Sequence, residues 1–513
     1  MINLKKIKEY DRVFLSILAL ASCLLLFRIG YRTLWMDETA VLLYLHASPV
    51  HFIIEYFKFP DNHPPLYYLL VVITLHILPW SEFAVRLVSV LAGLGIVTFV
   101  FIYTKHLLGK TYAYNAAFFT ALSSYFVLIS QTARYHSLAA LLTFVVFYLT
   151  HQLVTTGYDR RYYRLFIVLY ALVAWTDYPH FFYSITLTNA TFFYYRLRRK
   201  TVFPIKKWFA AQMVVALTAL PLVWLIYHRI VYQGDNGWGM SNLLGNSSSH
   251  ILVGILFHIY SFFFGENILP WNNGALAGGG IVLVGGLAGL FLGIKRKIFP
   301  PMYIYSVVLF FSLIILNTLF FNIANPRYNF IVLPKYGFVA YPFFIITLIG
   351  ALRVLPLRWR QACFIAWFGV AVFGLYNFYS TSNYLNGSYF NTFRSMEYTR
   401  DNSREGEYVA ITGNLNQGVY RFYKEKYFYK LEAVLPEQFN TLPAHARLWF
   451  FSTGSDDLFT THSTDASVPA GYTIVKQYDS VPLDPTLKKL KEKILHRQSY
   501  TYKYSVFLLE KNK

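Results

Sequence analysis

The chain has 513 residues, of which 56% are hydrophobic and only 14% charged, against about 25% charged in an ordinary soluble protein. So few charged groups cannot cover a water-facing surface of that size, which excludes a cytosolic enzyme, a disordered tail protein and a disulfide scaffold. The 46 Lys plus Arg outweigh the 25 Asp plus Glu and leave a net charge of +21, but the basic residues punctuate apolar runs, as juxtamembrane residues do, so no nucleic-acid partner is expected. The two cysteines, Cys23 and Cys363, both sit inside apolar runs and read as small core residues rather than a redox pair or metal ligands.

In chain order, the charged stretch 1–12 precedes an apolar run over 13–30, and no small-x-small cleavage site appears before Trp35. It reads as a retained first span of about twenty residues, enough for an apolar bilayer core of roughly 30 Å, with a cytoplasmic amino terminus set by the basic flank. Further apolar stretches at 66–103, 112–130, 132–150, 162–177, 178–195, 208–227, 276–294, 302–322, 335–355 and 361–381 bring the spans to eleven. Basic clusters at Lys105 to Lys110, Arg160 to Arg164, Arg196 to Lys207, Lys295 to Lys297 and Arg353 to Arg360 fall at alternate ends, which are then the cytoplasmic ones. A second count splits 66–103 at Pro79 to Glu82 and adds 251–264, giving thirteen. That count sets the basic clusters against the charge rule; both counts are odd and put the carboxyl end outside.

The fold class expected is a polytopic α-helical membrane protein, with the membrane part over 1–385, a first external loop over 31–65, and a soluble extracytoplasmic α/β domain over 386–513. In that last part, short apolar strands at Tyr408 to Ile411, Leu448 to Phe451 and Tyr504 to Leu509 alternate with turn-rich segments, and a helix is predicted at Pro485 to His496. The glycine-rich stretch Gly274 to Gly289 abuts a span and reads as helix packing or a flexible entry to the membrane rather than a phosphate cradle.

Function is sought where polar groups crowd at one membrane face. Just past the first span stand Asp37 and Glu38. Neighbouring carboxylates on a helix point about 100° apart and make a poor shared-proton dyad, so one of them is a lone base facing a cavity or the pair is a wet helix cap. Residues 40–59 hold two short amphipathic stretches split at Pro49, the pattern of helices lying on the interface. At Asp61, Asn62, His63, Pro64, Pro65, Leu66, Tyr67 and Tyr68, two prolines pre-set a sharp helix start that holds His63 at the lip of the next span. Glu82 and Arg86 are one turn apart and fit an internal ion pair. Arg134, with Tyr135, His136 and Ser137, lies between apolar runs, where an arginine needs a partner such as a phosphate. Asp177, Tyr178 and His180 form another polar hinge, and Arg327, Tyr328, Lys335 and Tyr336 bring more cations toward the same face. A transporter would need coupled sites near mid-bilayer and repeat symmetry, which are not evident.

Trp35, Met36, Asp37 and Glu38 after a first span, the run Asn62 to Tyr68, Glu82 with Arg86, Ala133 to Tyr135, and Pro326 to Tyr328 together resemble the polyprenyl-phosphate-sugar-dependent glycosyltransferases of the GT-C fold. This is the group of families 39 and 83, with the protein O-mannosyltransferases and the aminoarabinose transferase of lipid A. The likeness runs over about 30–350. It implies inverting transfer of a sugar from an undecaprenyl- or dolichyl-phosphate carrier to a hydroxyl of a protein, lipid or polysaccharide acceptor at the outer face, in a bacterial cytoplasmic (inner) membrane. By resemblance Asp37 is the general base, with Glu38 beside it, and Arg134, Arg327, His63 and Lys335 face the leaving phosphate. Tyr67, Glu82, Arg86, Tyr135, Asp177 and Tyr328 join the substrate site, and tyrosine and tryptophan faces meet the sugar. The resemblance implies no cofactor and no metal, although Asp37, Glu38 and His63 are metal-capable side chains. Two departures stand out: His63 replaces a lysine frequent in relatives, and His136 or Ser137 lies where some aminoarabinose-transferring relatives place a second acid, for which Asp177 is a substitute from another loop. The readings left beside this one are an oligosaccharyltransferase or oligosaccharide ligase, a lipid or polysaccharide transporter, and a non-catalytic membrane protein with an external binding domain.

Overall fold

A computed structural model of the chain describes residues 11–34, 38–44, 48–61, 63–198, 200–232, 249–324, 334–380, 393–411, 415, 417–453, 468–479, 484–486, 488–489 and 504–512. The first helix, α1 (Arg12–Leu26), is started by the Asp11 carboxylate, which accepts the Phe14 N–H at 3.4 Å. A 3-10 helix (Glu38–Tyr44) and α2 (Pro49–Lys58) follow, the two short stretches split at Pro49. In α2, Phe52 and Tyr56 are buried while Val50 and Ile54 stay exposed.

The long apolar run at 66–103 forms two helices, α3 (Leu66–Ile77) and α4 (Glu82–Leu108), because Ser81 caps the second by accepting the Ala84 N–H at 3.2 Å. Next come α5 (Lys110–Leu122) and α6 (Ser124–Ser130), bent by 64° at Ser123, then α7 (His136–Thr156), α8 (Arg160–Thr176) and α9 (Tyr178–Leu197). Asp177 separates the last two, since its side chain accepts the His180 N–H and Pro179 favours a helix start there. The remaining helices of this part are α10 (Ile205–Tyr232), α11 (Ser249–Phe264), α12 (Asn273–Lys295), α13 (Pro301–Ala324), a 3-10 helix (Pro334–Ala340) running into α14 (Tyr341–Leu352), and α15 (Leu357–Ser380).

Among the described residues, seven helices are long and apolar enough to cross a membrane, and the bent pair α5 and α6 makes an eighth if counted as one span. Three shorter apolar helices, α1, α3 and the 254–264 part of α11, fall below that length. The break at Pro79 to Glu82 weighed from the sequence is present between α3 and α4, and a further bend at Ser123 falls inside the apolar run 112–130. The glycine stretch is helix packing: a Cβ on Gly289 would sit 2.1 Å from the Ala351 carbonyl oxygen, and one on Gly285 2.5 Å from Cys363 Sγ. Helix α12 thereby lies backbone-close to α14 and α15.

The C-terminal part adds α16 (Phe393–Asn402), β1 (Glu407–Ala410), α17 (Gln417–Tyr427), β2 (Leu431–Val434), β3 (Arg447–Thr453), β4 (Tyr472–Asp479) and β5 (Tyr504–Lys511). The sheet order is β2-β1-β3-β5-β4, with β1 parallel to β2 and β3, and β5 antiparallel to β3 and β4. The three predicted strands correspond to β1, β3 and β5, whereas most of the helix predicted at 485–496 lies outside the described residues. One apolar core fills the helical bundle, while a second runs without a break from Leu34, Val41 and Leu42 through α2 and α3 to Val419, Tyr423, Tyr427 and Trp449. The chain is thus a polytopic helical membrane protein carrying a small mixed sheet domain.

Candidate active site

The polar motifs scattered along the sequence meet at one end of the bundle, where α3, α4, α7 and α9 begin. Glu38 and Arg86 lie at its base. Arg86 Nε donates to Glu38 Oε1 at 2.9 Å and Nη2 to Oε2 at 2.7 Å. Its remaining N–H groups reach the carbonyls of Ile29, Arg32 and Thr33 at 2.6, 2.9 and 3.2 Å. Glu38 Oε1 also accepts the Ala133 N–H at 2.6 Å. Both side chains are buried, so this is an internal anchor tying the first loop to α4 and to the segment entering α7.

The expected pair within α4 does not form. Arg86 takes Glu38, 48 positions away, and Glu82 takes Lys426 of α17 at 3.2 Å. One-turn spacing permits an i,i+4 pair, but the bidentate geometry and desolvation of the longer-range partner win. Glu38, placed beside Asp37 by resemblance, is engaged on both oxygens by Arg86 and on Oε1 also by the Ala133 N–H.

Above the anchor lies a cluster of histidines and cations. Asp177 Oδ2 is 2.5 Å from His180 Nδ1, and Oδ1 is 3.5 Å from His63 Nδ1. The His63 ring stacks beside Tyr135 at 4.3 Å between centroids, Tyr135 beside His136 at 4.4 Å, and His136 beside Tyr336 at 5.6 Å. His136 lies within electrostatic reach of Lys335, Arg134, Asp177 and His180, and Lys335 and Arg134 are both buried. Among the described residues, His136 Nδ1 and His180 Nε2 are buried without a hydrogen-bond partner, polar atoms aimed into the site.

Neighbouring tyrosines hold Arg134. Its Nη1 donates to Tyr68 Oη at 3.0 Å, and that hydroxyl donates to Asp61 Oδ1 at 3.2 Å. From the other side, Ser89 Oγ donates to the Arg134 carbonyl at 3.0 Å and shares a 2.8 Å hydrogen bond with the Tyr67 hydroxyl. The entry loop is fixed in turn, with the His63 N–H on Asp61 Oδ1 at 3.2 Å and the Tyr56 hydroxyl on the His63 carbonyl.

Of the sequence-predicted residues, His63, Arg134, Tyr135, Asp177 and Lys335 therefore come together. Tyr67 supports the Arg134 backbone, and Glu82 and Arg86 serve other contacts. Asp37, Arg327 and Tyr328 lie outside the described residues. Sequence reasoning left His180, His136, Tyr68 and Tyr336 out of the site; the i,i+3 spacing of Asp177 and His180 across a helix start was the signal available for the first. No group of three or more His, Cys, Asp or Glu side chains among the described residues is placed to hold a metal ion. Chemically the site is a buried recess that gathers Arg134, Lys335 and three histidines at helix amino ends, a setting suited to an anion.

Residues 62–224 match the family model described as dolichyl-phosphate-mannose-protein mannosyltransferase. ArnT from Cupriavidus metallidurans bound to undecaprenyl phosphate aligns over 96% of this chain and 97% of its own at 11% identity, with a TM-score of 0.52. Its apo state aligns over the same shares at 11% identity with a TM-score of 0.54. The apo oligosaccharyltransferase of Archaeoglobus fulgidus aligns more loosely, at 10% identity and a TM-score of 0.44 over 98% of this chain and 89% of its own. No curated protein matches the sequence. The chain is a membrane glycosyltransferase of the GT-C fold, in which residues 62–224, the segment that supplies most of the cluster, carry the match to the mannosyltransferase family.

Proposed function

We propose that the chain moves a sugar from a polyprenyl-phosphate carrier to an acceptor hydroxyl at the outer face of the membrane, with inversion at the anomeric carbon. The observation that carries this reading is the burial of Arg134 and Lys335 beside His63, His136 and His180 at the amino ends of α3, α7 and α9. Cations, histidines and helix amino ends gathered in one buried recess suit an anion, and a lipid phosphate that gathers charge as it leaves is such an anion. The ArnT neighbour was solved with undecaprenyl phosphate, which agrees with this donor class.

In the step proposed, the acceptor oxygen attacks the anomeric carbon while the carbon–oxygen bond to the lipid phosphate breaks and its electron pair leaves with the phosphate. Asp37 takes the acceptor proton. Because the leaving group is already anionic, Arg134 and Lys335 stabilise it by charge and no general acid is required. The Glu38–Arg86 anchor fixes the residue next to Asp37 in the sequence. Asp177, flanked by His63 and His180, faces the sugar side of the recess as a hydrogen-bond acceptor. In this reading the C-terminal domain lies on the side where transfer occurs, because its core is continuous with Leu34, Val41 and Leu42.

The test uses purified protein in detergent with polyprenyl-phosphate sugars of several kinds, followed by mass spectrometry. Wild type is expected to release polyprenyl phosphate from one of them, and Asp37→Asn to do so at least about a hundredfold more slowly while keeping its elution profile. Full turnover by Asp37→Asn removes the base assignment, and no turnover of any such lipid by wild type removes the donor class.

A further inference from the structure

The residues that flank Asp37 in the sequence are gripped from two sides. Arg86 holds the carbonyls of Ile29, Arg32 and Thr33 and the Glu38 carboxylate from the α4 side. The opposite grip comes from α17, whose sequence position lies almost 400 residues later. The Tyr423 hydroxyl accepts the Leu34 N–H at 2.9 Å, the next backbone group after the carbonyls that Arg86 holds. Burial, together with the nearby Glu82 carboxylate, pushes the Tyr423 phenol well above its usual range, so it stays a neutral hydroxyl.

Two further contacts make this a surface rather than a single bond. Gly418 at the start of α17 lies against the 3-10 helix 38–44, such that a Cβ there would stand 3.0 Å from the Leu42 carbonyl carbon and oxygen. Any side chain there requires its neighbours to give by a few tenths of an ångström. Lys426 closes the far end of α17 on Glu82, the first residue of α4. Val419, Tyr423 and Tyr427 share one buried core with Leu34, Val41 and Leu42, so the residues on both sides of Asp37 are packed against the C-terminal domain.

We propose that α17 is a positioning element of the active site: through Tyr423 and Gly418 the C-terminal domain clamps Leu34 and the 3-10 helix 38–44, the stretches that flank Asp37 in the sequence, and turnover depends on that clamp. The two residues touch no reacting atom and act through the loop. The proposal rests on the transferase reading for its kinetic consequence but not for the clamp itself, and the experiment separates the two.

Full-length wild type and Tyr423→Phe are compared in detergent by hydrogen exchange over residues 30–44 and by turnover of the lipid-phosphate sugar. Faster exchange at Leu34 and its neighbours in Tyr423→Phe is expected, and unchanged exchange overturns the clamp whether or not wild type turns over any sugar. In turnover, Tyr423→Phe is expected to lower kcat about tenfold, the worth of one buried hydrogen bond, with KM for the donor unchanged. An unchanged kcat, or a loss confined to KM, overturns the positioning role. Gly418→Leu is expected to lower kcat about a hundredfold by shifting the loop.

Because Gly418→Leu is at risk of misfolding, a rescue variant carries the same test. A Cβ on Gly418 lies 3.1 Å from Leu42 Cβ, within a small adjustment of the roughly 3.5–4.5 Å of a disulfide. Leu42→Cys with Gly418→Cys, added to Tyr423→Phe in a Cys23→Ser background, is expected to regain kcat when oxidised with copper-phenanthroline and lose it again with dithiothreitol. A crosslinked protein that stays as slow as Tyr423→Phe overturns the proposal.

Discussion

Arg86 spends all five N–H donors of its guanidinium, on Glu38, Ile29, Arg32 and Thr33. Replacing it with Met strands a buried carboxylate and three carbonyls, so Arg86→Met is expected to cost roughly 3–5 kcal/mol of stability, read as a lowered unfolding midpoint in detergent. Arg86→Lys is expected to recover little of that, since an ammonium cannot make the bidentate fork. The double variant Arg86→Met with Glu38→Met is expected to be more stable than Arg86→Met alone, because no charge is left uncompensated. Arg134 is a different case, held by the Tyr68 hydroxyl at 3.0 Å in the recess itself rather than in the anchor beneath it. Tyr68→Phe is expected to weaken donor binding about tenfold with little change in kcat, whereas Arg134→Ala lowers both; steady-state kinetics with the lipid-phosphate sugar distinguish them.

At the scale of elements, the helix breaks are what build the site. Asp177 both ends α8 and caps α9, so the residue that interrupts an apolar run is also the one that meets His63 and His180. The close side of the bundle depends on absence of side chains instead. Gly289→Ala is expected to push α12 off α14 and cost about 1–3 kcal/mol by overpacking, because its Cβ would overlap the Ala351 carbonyl. Gly280→Ala, nine residues away in the same helix, meets nothing within 4 Å and is expected to be neutral or to stabilise by up to about 1 kcal/mol. Thermal unfolding of the two variants side by side checks that the difference comes from packing and not from helix propensity.

For the molecule as a whole, the second core and α17 join the sheet domain to the helical bundle. The ion pair between them is its weakest part: Lys426 is 48% exposed against 7% for Glu82. Lys426→Met is therefore expected to cost less than about 1 kcal/mol, by the same unfolding assay, and the apolar contacts of Val419, Tyr423 and Tyr427 carry the join. A carboxyl-terminal alkaline phosphatase fusion in a bacterial host is expected to be active, as the proposed outward orientation requires; a fusion that is inactive while a cytoplasmic green fluorescent reporter glows would reverse it.

Composition and hydropathy were enough for the class of molecule, since a chain with so few charges and so many apolar runs has no soluble solution to its surface. Three strands of the sheet domain, β1, β3 and β5, were legible too, because short apolar segments between turn signals have few other uses, whereas β2 and β4 were not predicted. Motif order alone drew His63, Arg134, Tyr135, Asp177 and Lys335 into one site before any of them could be seen to touch. What the sequence did not reveal was partner choice. Glu82 and Arg86 looked like a pair at helical spacing, but spacing says only which groups can meet on an isolated helix, whereas the fold brings Glu38 and Lys426 to them from 48 and 344 positions away. His136 and His180 were named with their polar segments, but spacing did not show that they meet His63, Tyr135 and Asp177 in one cluster. The support of the Asp37 loop by Tyr423 and Gly418 was equally hidden, because a contact between distant segments leaves no periodic trace in a single sequence; only the packing of the sheet domain on the bundle decided it.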